Sequence, residues 1–551
     1  MTPAELSSAI THALTALVGD GRLTVDVPSD ITVERPKQSG HGDYATNVAM
    51  RLAKPAGRPP REVASLVAEE LTKDSQIERV EVAGPGFLNI TLQAAAMGGL
   101  AKTVVEADKA YGTNQSMADQ KLNLEFVSAN PTGPVTLPSG RWASVGDALV
   151  RIMRACGADV TAEYYFNDAG SQIDRFASSL YAAAHGRPVP EDGYQGEYVG
   201  DVARAVVGEA PDVLQQPEPE ALETFRVLGI EKMFAGVRAT LENFGVKFDV
   251  FFNERDLHTS GGVDTAIDQL RAKGYIYEKD DAIWLRTTDF GDDKDRVLIR
   301  GGGAPTYFAA DVAYYVNKRQ RGFDKAILIL GADHHGYIGR MRAMVACTGD
   351  DPDATLEILI GQMVNLVRGG ETVKMSKRAG NFVTLDDLVE SVGADAGRYA
   401  LARSSMDSTL EIDLDVWTQK SNENPVFYVQ YAHARLASLA RHAADLGLKR
   451  GTSYDASLLT HEREVALLGV LGEFPRVVSS AAELREVHRV ARYAESLAAA
   501  YHKFYDSCRV LPMGDEPATD LTTARLWLSE AARVVLANAL ALLGVSAPEQ
   551  M

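Results

Sequence analysis

Apolar residues recur at helical spacing from Leu6 to Leu17 and again from Arg61 to Leu71, which predicts two amphipathic helices with the polar stretch Gln38–Asp43 between them. The pattern then shortens to Val80-Glu-Val and Phe87-Leu-Asn-Ile-Thr-Leu92, two strands joined by a turn at Gly84-Pro-Gly86. A small α+β unit over residues 1–110 follows from this. A second unit opens with a strand over Lys121 to Val127 and a turn rich in Pro and Gly. A helix is predicted from about Trp142 to Cys156, closed by Gly157, and a strand from Val160 to Phe166. Strand, turn, helix and strand in this order make a βαβ unit. Ala326-Ile-Leu-Ile-Leu-Gly331 is a continuous apolar run, the mark of a buried parallel strand. Asp333, His334 and His335 follow at the end of that strand, where open α/β sheets place their ligands.

Residues 185–225 are rich in Pro, Glu and Asp and read as a surface insertion, the start of an inserted span around 185–285 in a middle unit of 111–420. From about Ser421 strand signals stop. Helical periodicity then runs through Val426–Ala440, Glu462–Val478, Ala481–Phe504 and Thr522–Leu543, so 421–551 is expected to be all α.

Composition narrows the class. The chain has 551 residues, 46% hydrophobic and 24% charged, as a globular protein of several domains does. Val534 to Val545 is the longest apolar stretch noted; it is short for a membrane span and carries Asn538, so no membrane partner is expected. The start, MTPAELSSAITHAL, lacks a basic n-region followed by an apolar h-region, and a cytoplasmic monomer is expected. Cys156, Cys347 and Cys508 form no CxxC pair and no zinc spacing, so neither disulfide nor structural metal is expected. A net charge of −19 argues against DNA and non-specific nucleic-acid binding and leaves room for a local basic surface that holds a shaped RNA.

Two motifs carry candidate chemistry. The turn SANPTGPVTLPSG leads into a helix N-terminus, whose free N–H groups and positive dipole end suit a phosphate, although many α/β folds have such turns. Val373-Lys-Met-Ser-Lys-Arg-Ala-Gly380 places Lys374, Ser376, Lys377 and Arg378 in a polar loop bounded by glycines. Such lysines suit charge stabilisation of a phosphate in transit; the alternative is a solvated basic loop.

Taken together, FVSANPTGP, WASVGDAL, EYYFNDAGSQI, GYQGEY, PTYFAADVAY, RGFDKAILILGADHHGY, VKMSKRAGNFVTLDDL, NPVFYVQYAHAR and ALLGVSAPEQM resemble the bacterial arginyl-tRNA synthetases over essentially the whole chain. The resemblance implies a class I synthetase fold: a Rossmann-like parallel-sheet domain, an N-terminal α+β domain and a C-terminal all-α anticodon-binding bundle. It implies that Glu125 and Asn130 hold the α-amino and carboxylate groups of an arginine-like substrate and that Tyr307 and Asp311, four apart on one helix face, hold its guanidinium. Asp333, His334 and His335 line the same cleft. Residues 1–110 bind the tRNA elbow, with Asn47 a candidate. Tyr428, Gln430, Tyr431, His433 and Arg435 lie on the tRNA-binding helical domain, where aromatics at these spacings also suit a helix core.

One stretch leaves the family pattern. After PTGP the family has roughly Leu-His-x-Gly-His/Gly; this chain has Val135-Thr136-Leu137-Pro138-Ser139. Thr136 and Ser139 replace phosphate-binding positions, and Pro138 replaces a glycine against which adenine lies. Losing two such contacts, at about 2–4 kcal/mol each, predicts an impaired ATP site. The expectation is therefore a tRNA-dependent aminoacyltransferase. It moves an aminoacyl group from charged tRNA to the amine of a guanidine-bearing small molecule, and no cofactor is required. Glu125, His334 and His335 are the candidate bases, and Lys374 and Lys377 steady phosphates. Two alternatives stand beside it: a working arginyl-tRNA synthetase that uses ATP and Mg, and a non-catalytic tRNA-binding paralogue.

Overall fold

The computed structural model describes residues 1–36, 41–373 and 382–551. The N-terminal unit starts with helix Pro3–Gly19, which Thr2 and Glu5 open as a reciprocal capping box. Its apolar stripe Leu6, Ile10, Leu14 and Leu17 is buried. Helices Val48–Ala56 and Pro60–Leu71 follow; the first of these stands in the stretch between the two helices that periodicity predicts. They pack on an antiparallel sheet of β1 (Tyr44–Thr46), β2 (Ile77–Ala83) and β3 (Phe87–Leu92), in the order β1-β3-β2.

The middle unit is built on β4 (Lys121–Glu125), β5 (Asp159–Phe166) and β6 (Val250–Asn253). Next come a small antiparallel sheet of β7 (Ile276–Lys279), β8 (Ala282–Leu285) and β9 (Arg296–Ile299), then β10 (Lys325–Gly331) and β11 (Leu356–Gly361). The main sheet is entirely parallel, in the order β11-β10-β4-β5-β6. The order in which strands are added reverses between β4 and β10, so the switch-point crevice opens there, at the carboxyl ends of these strands. A third small sheet joins β12 (Val364–Arg368), β13 (Glu371–Thr372) and β14 (Leu410–Asp413).

Two sequence expectations change here. The first helix of the βαβ unit is Leu137–Ala155, five residues longer at its start than the apolar pattern predicts. Thr136 caps it and Pro138 sits in its first turn, where a missing N–H costs no intrahelical bond. The span 185–285 is not simply an insertion. Helix Glu218–Asn243 buries Phe225, Val237 and Leu241, and β6 pairs with β5 in the main sheet.

The C-terminal unit packs helices Pro425–Asp445, Glu462–Glu483, His488–Ser507 and Asp520–Leu542. Its last residues fold back over the first of these helices. Gln430 Nε2 donates to the Ser546 carbonyl at 3.0 Å and to Asp395 at 2.9 Å, and His433 Nδ1 meets the Pro548 carbonyl at 2.8 Å.

Candidate active site

At the switch point a cleft of about 670 Å³ is lined by Glu125, Asn130, Thr136, Pro138, Ser139, Tyr307, Asp311, Asp333 and His334. The structure thus gathers residues from four separate stretches of chain. They sit at strand ends, at helix starts and, for Asn130, in the loop that joins them.

Glu125 closes β4 and is buried. Lys318, from the helix Tyr307–Gln320, donates to its Oε2 at 2.5 Å and lies 4.2 Å from the Tyr314 ring centroid. Glu125 is therefore a charge-balanced carboxylate rather than a free base. Below it Tyr314 donates to Glu163 at 2.5 Å, and Arg321 pairs with the same carboxylate.

Asp311 differs. It accepts a hydrogen bond from Tyr337 but meets no Lys or Arg at ion-pair distance among the described residues. Burial pushes its pKa up to about 6, and the nearby charges of Glu254 and Glu125 add to this; the Tyr337 bond and the charge of Arg340 oppose it. Glu254, the first residue after β6, is likewise buried; it accepts from Tyr165, and His258 Nε2 lies 3.5 Å from it. Two buried carboxylates with tyrosine donors and, among the described residues, no Lys or Arg at ion-pair distance make a pocket that a guanidinium would complete. Tyr307 stands at the rim, 62% exposed. Its hydroxyl lies against Gly170, whose φ of 90° favours glycine and where a side chain would come within 3.2 Å of it.

The loop after β4 carries two adjacent non-glycine residues at positive φ, Val127 at 70° and Ser128 at 42°. Ser128 N–H donates to the Phe126 carbonyl at 3.0 Å, closing a turn of the rare γ hand centred on Val127. Such residues cost about 1–3 kcal/mol each and persist only where neighbours hold them. Asn130 follows; its Oδ1 accepts from Asn167 N–H at 3.1 Å and its Nδ2 donates to Gln172 at 2.9 Å.

Thr136, Pro138 and Ser139 form an ordinary helix start. Thr136 Oγ1 accepts from Ser139 N–H at 3.3 Å and donates to Ser139 Oγ at 3.0 Å, and Leu137 N–H donates to the Val383 carbonyl at 3.0 Å. Thr136→Ala is expected to lower stability by about 1 kcal/mol through loss of this cap, read by denaturant unfolding. An unchanged midpoint would show that the cap contributes nothing.

Asp333 and His334 lie at the exposed mouth, 3.5 Å apart. Lys374 and Lys377 fall outside the described residues, as does the His335 side chain. Asn47 is exposed, at the N-cap of helix Val48–Ala56, and makes no capping bond. Tyr431 and Arg435 line a separate C-terminal cavity of about 900 Å³ with Tyr505 and Arg509. Arg435 stacks over Tyr505 at 4.2 Å. Tyr428 is half-buried against His502. Gln430 and His433 turn inward and secure the C-terminal tail instead of presenting a free face. Glu254, Lys318 and Tyr337 are absent from the sequence reading. The apolar Val250-Phe-Phe within the span read as insertion is the signal that would have placed Glu254 at the end of a sheet strand.

Three family models match the chain: "Arginyl tRNA synthetase N terminal domain" over 4–92, "tRNA synthetases class I (R), catalytic domain" over 213–413, and "DALR anticodon binding domain" over 429–551. An arginine–tRNA ligase of Kineococcus radiotolerans is 59% identical over 554 residues, covering all of both chains. One of Frankia alni is 59% identical over 552 residues, again covering all of both. A crystal structure assigned to an arginyl-tRNA synthetase of Campylobacter jejuni is 32% identical, covers 84% of this chain and 100% of its own, and has a TM-score of 0.76.

These matches correct two expectations. The aminoacyltransferase reading is overturned, because whole-length relatives at this identity are arginine–tRNA ligases. The expectation that no cofactor is required rests on that reading and falls with it. On whole-length identity and on matches in all three of its units, the chain belongs to the bacterial-type class I arginyl-tRNA synthetases and is an enzyme of that family.

Proposed function

We propose that the protein is a working arginine–tRNA ligase: it activates arginine with ATP, releasing pyrophosphate, and passes the arginyl group to tRNA, releasing AMP. The observation that carries this reading is the pair of buried carboxylates, Asp311 and Glu254, held by tyrosines and with no Lys or Arg at ion-pair distance among the described residues, in a chain whose whole-length relatives are arginine–tRNA ligases. They receive the substrate guanidinium, and Tyr307 closes over it from the rim. Glu125, at the end of β4, and Asn130, in the loop after it, take the α-amino and carboxylate groups. Lys318 pairs with Glu125 at 2.5 Å and holds its carboxylate in place for that contact.

ATP is a substrate here. Its phosphates fit the Thr136–Ser139 helix start, where the dipole and two hydroxyls offer favourable contacts without a histidine. Lys374 and Lys377 supply charge against the leaving pyrophosphate. Among the described residues no cluster of three or more His, Cys, Asp or Glu could cage a metal ion. Asp333, the exposed carboxylate at the mouth, is the residue that would face a Mg²⁺ brought in on the nucleotide phosphates. Such an ion neutralises charge on the phosphates. Tyr431 and Arg435 supply a stacking and cationic surface for tRNA bases.

The deciding experiment is arginine-dependent exchange of pyrophosphate into ATP in the presence of tRNA. Robust exchange with arginine and none with lysine is expected, since a planar fork fits two carboxylates and an ammonium does not. Absence of exchange with arginine overturns the reading.

A further inference from the structure

The Val127–Ser128 turn forms a thin wall between two spaces. In front is the main cleft; behind is an adjoining cavity of about 320 Å³, which shares Val127, Asn130, Thr136 and Ser139 with the cleft and is lined at its rear by Tyr164, Tyr194, Tyr198 and Val237. A left-handed turn backed by open space needs an outside restraint, because valine avoids positive φ. Tyr164 supplies it. Its hydroxyl donates to the Ala129 carbonyl at 2.8 Å and accepts from the Ala129 N–H at 3.3 Å, so one group meets both backbone polar atoms of the residue between the turn and Asn130. The ring cannot swing away. It is fully buried and wedged edge-on against Phe234 and Phe248, at 5.9 and 5.4 Å between centroids. Two weaker restraints flank it: Tyr165 N–H donates to Ser128 Oγ at 3.1 Å, and Tyr198 donates to the Thr132 carbonyl at 3.2 Å.

We propose that Tyr164 is a positioning residue for arginine activation: from behind the cleft wall its hydroxyl holds the left-handed turn that sets Asn130 at the substrate site. The inference rests on the reading that this cleft binds arginine. Without the hydroxyl, the turn relaxes toward ordinary backbone angles and the wall moves into the rear cavity. The test is a double-mutant cycle. Tyr164→Phe is expected to lower kcat/KM for arginine in pyrophosphate exchange by about 10- to 100-fold, the scale of a small misplacement at a reacting centre. In a Val127→Gly background, where positive φ carries no penalty, the same change is expected to cost about threefold or less. The KM for tRNA stays within about twofold, since the tRNA-binding units are untouched. Hydrogen exchange of the peptide covering 127–134 supplies an arm independent of activity: the Ala129 amide exchanges at least about tenfold faster in Tyr164→Phe. Equal cost in both backgrounds, a parallel rise in the tRNA KM, or unchanged protection of Ala129 overturns the proposal. Failure of the unaltered protein to exchange pyrophosphate sinks the arginine reading instead, and the hydrogen-exchange arm then decides the role of Tyr164.

Discussion

Asp311→Asn is expected to weaken arginine binding by about 2–4 kcal/mol, a loss of roughly 30- to 1000-fold in affinity, while making the ligand-free protein more stable. Both effects have one cause. Asp311 is buried beside Glu254 and Glu125 with only a tyrosine donor, and its pKa is pushed up to about 6. The unfolded chain would titrate near 3.9. The folded value lies above the unfolded one, so the ionised carboxylate destabilises the empty protein. That cost is absent below about pH 4, grows between about 4 and 6, and is complete above about 6. At neutral pH it amounts to about 3 kcal/mol, which an uncharged amide of the same shape removes. A bound guanidinium offsets the same cost in the unaltered protein, so arginine should raise its melting temperature and leave that of the variant unmoved. Because arginine's own guanidinium stays charged, its affinity should fall about tenfold per pH unit below about 6, and Asp311→Asn should flatten that slope. Calorimetry from pH 5 to 8 and denaturant unfolding without ligand check both halves. Equal arginine affinity in the variant, or a variant less stable than its parent at neutral pH, would rule the assignment out.

The sequence shows this pocket only in part, for physical reasons. Tyr307 and Asp311 are legible through their motif and helical spacing. The electrostatics of the pocket are not: Lys318 meets Glu125 from 193 positions away, and Glu254 arrives on a four-residue strand too short to announce itself by alternation. Thr136–Ser139 misleads for a different reason. Read as motif letters, the stretch has lost two contacts and gained a proline. Read as backbone, Thr136 is an N-cap and Pro138 a first-turn residue, and both favour the helix they begin. The long C-terminal helices are legible because each buries a stripe at 3.6-residue spacing over many turns. The inward turn of Gln430 and His433 is not, because it depends on a tail that returns from more than a hundred positions away.

Arg398→Met is expected to destabilise the protein by about 3–5 kcal/mol, the usual consequence of removing one partner of a buried ion pair. Arg398 is 1% exposed and joins three helices besides its own. Its Nη2 meets Asp147 at 2.5 Å on the helix Leu137–Ala155. Nη1 donates to the Phe244 carbonyl at 3.0 Å, and Nε and Nη2 donate to the Leu543 carbonyl at 3.2 and 3.1 Å. Phe244 and Leu543 are the C-caps of helices Glu218–Asn243 and Asp520–Leu542, so two negative helix ends and one carboxylate converge on a single guanidinium. Burial pulls the Arg398 pKa down and Asp147 pulls it back, but a guanidinium stays charged. Lysine at this position has neither the fork nor the reach to serve all three acceptors, so Arg398→Lys should recover less than half of the loss. Asp147→Leu combined with Arg398→Met should be less damaging than Arg398→Met alone, because no carboxylate is then left buried beside the gap. Gly544→Ala offers an independent probe. Its φ is 67°, and a methyl there would lie 2.1 Å from Arg398 Nη2, so it should destabilise in the same direction. The effect reaches the cleft along one rigid element, since Asp147 sits on the helix that Thr136 caps. Pyrophosphate exchange by Arg398→Lys should therefore slow even where unfolding shows the chain still folded. Loss of less than about 1 kcal/mol in Arg398→Met, or a double variant no better than the single one, would show that the joint contributes packing alone.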